Sequence, residues 1–160
     1  MEFPYELLDE IRFVRRDVSI SPDLRPLQRI AEILLILGLC CTKQSASVLK
    51  LQLFNWGLKS TDGIQSLLNL SEVEDSYKFP IIRFDPFLNR AIGYGLGEDV
   101  FFIEENTGKI KITADGMLFL TRIMESDEVM TREKQTLREI GIISETKVSN
   151  LFRKRFRQNV

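Results

Sequence analysis

Histidine is missing from all 160 residues of the chain. Its absence removes the commonest general base and transition-metal ligand, and with them Ser-His and Cys-His nucleophilic mechanisms. Cysteine is nearly missing too: the only two are adjacent, Cys40 and Cys41. Adjacency suits neither an ordinary structural disulfide nor a metal site built on separated ligands, so both read as reduced, buried thiols. Nor is there a long apolar run. The longest, Ala31 to Cys41, is interrupted by Glu32 and spans only about half the roughly 20 residues a membrane-crossing helix needs, so it reads as a buried helix and no membrane contact is expected. The opening MEFPYELLDE lacks a basic stretch followed by an apolar core, so export is not expected and a cytoplasmic location is. With 22 basic against 23 acidic residues the net charge is −1, leaving no whole-molecule field to attract nucleic acid.

Carboxylate-only chemistry, as in glycosidases or magnesium-dependent nucleases, survives these absences, because 23 acids can always supply a pair. Their placement argues for solvated charge instead. Glu104 and Glu105 end an expected strand, Glu72, Glu74 and Asp75 sit in a polar connection, and Glu125, Asp127 and Glu128 flank a helix end. The glycines of GYGLG, Gly93, Gly95 and Gly97, lack the Lys-Ser/Thr of a P-loop and the preceding strand of a dinucleotide fingerprint, and read as a helix end and turn. No catalytic residue, metal or cofactor is expected.

What is present is 44% hydrophobic residues, enough for a core without help from metals or disulfides. Leu7, Leu8, Ile11 and Val14 recur at near-helical spacing, followed by a connector holding Pro22 and Pro26. From Leu27 onward the apolar residues are too dense for a one-sided helix, which makes this segment central, with Gly38 near its end. Ser45 is placed to cap a helix through Trp56, and Ser60 to Asp62 a further one holding Ile64, Leu67 and Leu68. After the acidic stretch Ser71 to Ser76, FPIIRF (79–84) reads as extended, and Asp85 before Pro86 as a helix start, the helix running to about Tyr94. Val100 to Glu104 and Lys109 to Thr113 flank Asn106-Thr107-Gly108, a β-hairpin pattern. Helical spacing returns over Ala114 to Met124, Thr131 to Ile140 and Thr146 to Arg157. The expected fold is mainly α with a small β-hairpin, an α+β chain of amino-terminal helices (1–76), a winged-helix-like region (77–126) and carboxy-terminal helices with a basic tail (127–160), packed as one unit.

A DNA-reading winged helix carries Arg, Lys, Asn or Gln on the helix before its wing. Between Pro86 and Gly95 only Asn89 and Arg90 are polar. The wing offers Lys109 and Lys111 beside Glu104 and Glu105, whose charge repels phosphate. Such a surface suits protein contact, with Phe87, Leu88, Ile92 and Tyr94 open to either core packing or an interface role. The sharpest charge asymmetry is terminal: Lys147, Arg153, Lys154, Arg155 and Arg157 follow Glu145 with no further acid. That run suits phosphate or an acidic protein face, and equally a solvated helix end. A second basic cluster comprises Arg12, Arg15 and Arg16, with Arg25 and Arg29 beyond.

The stretch PLQRIAEILLILGLCCTKQSASVLKLQLFNWGLKS, Pro26 to Ser60, resembles the amino-terminal signature of the middle component of bacterial ABC-three-component systems, which include the Lamassu anti-phage systems. The resembling features are Gln28-Arg29 opening an apolar helix, the small Ala46-Ser47 turn, and Leu53-Phe54-Asn55-Trp56-Gly57-Leu58 followed by Lys59-Ser60. A histidine often found near Leu53 or Phe54 in that pattern is lacking here. The resemblance implies a non-enzymatic accessory subunit partnered by an SMC-like or Rad50-like ABC ATPase and an effector subunit, commonly a nuclease, with double-stranded DNA met through the complex. Of the family-like residues, Asn55 and Trp56 are expected to serve structure, since a buried amide and an indole N–H each need a partner. The competing reading is a stand-alone winged-helix DNA-binding transcriptional regulator, and a carboxylate-based metal nuclease is a third.

Overall fold

The computed structural model describes residues 25–71 and 82–156. The first stretch, read as a helix or extended arm, its proline-containing connector up to residue 24, the acidic stretch from residue 72, the start of FPIIRF and Arg157 lie outside the described residues.

Helix α1 (Pro26–Cys40) starts with proline at its first position and buries nine of its 15 residues. Pro tolerates that place because its missing N–H would have no intrahelical partner there. As the apolar density predicts, α1 is the central helix, with Ile33 to Leu37 wholly buried, and it packs against α4 (Pro86–Gly97), α5 (Ala114–Glu125) and α6 (Thr131–Ile140). Leu27 departs from that expectation, being 66% exposed.

A short 3-10 turn, Thr42–Gln44, follows, with Lys43 at φ 56°. Strand β1 (Ser45–Ala46) comes next, and the capping residue of α2 (Val48–Leu58) is Ser47, not Ser45: Ser47 accepts from the Lys50 N–H at 3.2 Å. Ser45 is committed to the sheet instead. Ser60 caps α3 (Thr61–Leu68) as expected, accepting from the Gly63 N–H. Asp85 caps α4, its Oδ1 accepting from the Phe87 N–H at 2.9 Å. That helix runs three residues past Tyr94, so the GYGLG glycines lie in its final turns and not in a following turn. At Gly95 a Cβ would fall onto the Phe101 ring; glycine there lets strand and helix approach each other.

Strands β2 (Phe101–Ile103) and β3 (Ile110–Ile112) form the expected hairpin, turning at Gly108 with φ 65°. β1 adds to it antiparallel, giving the order β1-β3-β2. A two-residue strand with no alternating pattern left no trace in the sequence. The order α1, β1, α2, α3, α4 and then a two-stranded wing paired to β1 is winged-helix-like with one helix more before the wing, and it draws its first elements from the amino-terminal half of the chain. Phe101, Ile110, Ile112 and Ala46 point to the core, which extends as one cluster to Val148 and Leu151 of α7 (Glu145–Phe156). Thr113 fastens the wing to α5: its hydroxyl donates to the Val100 carbonyl and accepts from the Gly116 N–H.

Candidate protein-interaction surface

What holds α4 and the wing in place sets which side chains they expose. A polar network crosses the core beneath α4. Arg29 Nη1 donates to Glu32 Oε2 at 2.7 Å and to Asn55 Oδ1 at 2.9 Å. Asn55 Nδ2 in turn donates to Asp85 Oδ2, which also takes the Lys59 ammonium at 2.6 Å. Gln52 completes it, accepting the Asp85 N–H at 2.8 Å while its Nε2 donates to the Asp85 carbonyl and to Asn89 Oδ1. Arg29, Gln52, Asn55 and Asp85 are all buried, where each unpaired group would be costly, so the network fixes α1, α2 and the start of α4 in one register. Burial raises the Asp85 carboxyl, but hydrogen bonds from Lys59, the Phe87 N–H and Asn55 outweigh it and hold the group below the ordinary range. Burial wins at Glu32, whose carboxyl is pushed up despite Arg29. Asn55 is buried and bonded at both ends of its amide; Trp56 is half-buried against the core, and Gln28 is half-buried at the first turn of α1.

The candidate contact residues differ in exposure. Tyr94 is 56% exposed, Phe102 41% and Ile103 52%. Phe87 is half-buried beneath the Arg90 guanidinium, 5.4 Å from its ring centre. Leu88 corrects the expectation of an interface role: at 1% exposure it belongs to the core, as does Ile92, because the helical period turns both toward α1. The two polar side chains noted between Pro86 and Gly95 are both exposed, Asn89 accepting from Gln52 and Arg90 lying over Phe87. Phe102 and Ile103 carry the most exposed apolar surface of the wing and were not picked out from the sequence, where alternation over three residues could not say which face of a short strand meets helices.

The basic candidates do not converge into a single described cradle. Lys111 sits 3.7 Å from Glu104 and 5.9 Å above the Phe102 ring, so its charge is partly answered by the wing itself. Glu104 also accepts from the Thr107 hydroxyl at 2.6 Å, the main cause of its lowered pKa, with Lys111 and Lys109 adding to it. Lys109 is half-buried at the hairpin turn; Lys147 is half-buried and Arg153 exposed on α7, and Lys154 and Arg155 follow in its last turn. Arg29, counted with the second basic cluster, is buried and paired to Glu32.

Two lysines missed entirely are Lys50 and Lys134, both buried. Lys50 Nζ donates to the Cys40 carbonyl at 3.0 Å and the Ile143 carbonyl at 2.5 Å, and Lys134 Nζ to the carbonyls of Ile123 and Ser126. Each supplies from a neighbouring helix the cation that the end of α1 or α5 needs for its last carbonyls. Cys40 and Cys41 are buried and unbridged, and burial, with Cys41 adding to it, pushes the Cys40 thiol up to about 12. Among the described residues no group of three Asp, Glu or Cys side chains converges where a metal ion would sit, and no helix is long and apolar enough to cross a membrane. A shallow apolar cleft of about 390 Å³ opens between Gly38 and Leu39 of α1 and Met117, Leu120 and Met124 of α5, with Glu125 its one carboxylate. Comparison with family models, with curated proteins and with solved structures gave no match to this chain.

Proposed function

We propose that the protein is a non-catalytic accessory subunit of an SMC-like or Rad50-like ABC ATPase defence complex, bridging the ATPase to an effector subunit, with DNA met through the assembly. The family-like stretch Pro26 to Ser60 supplies the role. The observation that carries the protein-binding part is the contrast on the winged-helix surface. Asn89 and Arg90, the two polar side chains between Pro86 and Gly95, are exposed, one accepting from Gln52 and the other over Phe87, and they stand against more extensive apolar surface offered to solvent by Tyr94, Phe102 and Ile103. Apolar and aromatic anchors of this kind contribute most of the free energy at protein interfaces. Glu104 and Glu105, beside them, disfavour a phosphate backbone.

The test is co-purification of the tagged protein with the products of its neighbouring genes, followed by mass determination. A defined assembly containing a large ATPase and an effector, lost in a Phe102→Glu/Ile103→Glu variant that still folds, supports the reading. A lone protein that retards duplex DNA with steep salt dependence would replace it with the transcriptional-regulator reading.

A further inference from the structure

We draw no further inference here: the strongest candidate, the apolar cleft between the carboxyl end of α1 and α5, lined by Gly38, Leu39, Met117, Leu120 and Met124 with Glu125 as its one carboxylate, carries nothing, because nothing in the structure shows what covers it.

Discussion

The ammonium of Lys50, in the first turn of α2, donates at 3.0 Å to the carbonyl of Cys40, the last residue of α1. With a second bond to the Ile143 carbonyl, this one side chain ties α1, α2 and the segment entering α7. α1 has no basic residue in its own last turn, so the cation favoured at a helix carboxyl end comes from its neighbour.

Replacing Lys50 by methionine keeps most of the volume but leaves two buried carbonyls without their donor. Charge-assisted bonds are worth more than neutral ones, although the variant no longer has to desolvate an ammonium. The net loss should be about 2 kcal/mol in urea-unfolding free energy. A variant as stable as the parent would show that those carbonyls find water.

Asn55 accepts from Arg29 and donates to Asp85, a pairing that needs both ends of an amide. Asn55→Asp sets a carboxylate against Asp85, while Asn55→Leu removes one buried bond from each neighbour and leaves Arg29 with Glu32 and Asp85 with Lys59 and the Phe87 N–H. Each should destabilise by about 2–3 kcal/mol. Denaturation midpoints within error of the parent would contradict the network.

Stability at low pH should depend on Asp85. Its pKa is lowered from 3.8 in the fold, so its contribution is fully present above that value and is lost as pH falls through the lower, folded one. Asp85→Asn should flatten the acid limb of the stability profile below about pH 4. Glu32, raised by burial from 4.5, acts with the opposite sign, withdrawing stability as pH rises past its ordinary value; it is common to both proteins and drops out of the comparison. Superimposable acid limbs would refute the assignment.

The glycines of α4 should respond to alanine in opposite directions. A Cβ on Gly93 meets nothing within 4 Å, so Gly93→Ala should stabilise by about 0.5–1 kcal/mol by restricting the unfolded chain. At Gly95 it would fall on the ring of Phe101, and Gly95→Ala should destabilise by about 1–3 kcal/mol. Thermal melts of both variants decide it, and equal signs would mean that Phe101 can move aside.

The sequence alone determined the helices whose signals are local. Pro86 behind Asp85, Ser60 before α3, Thr131 to Ile140 and the turn ending in Gly108 are stretches where capping, ring geometry or periodicity acts within a few residues, and the structure places elements at each. The dense apolar run likewise identified α1 as central. Tertiary structure decided the rest. β1 exists only because β3 lies beside it, which is why Ser45 entered a strand and left the cap to Ser47. Leu88 and Tyr94 are alike to any local rule, yet helix phase against α1 buries one and exposes the other. Lys50 and Lys134 read as surface charges because a lysine is normally solvated; they are buried because helix ends distant in sequence bring carbonyls to them.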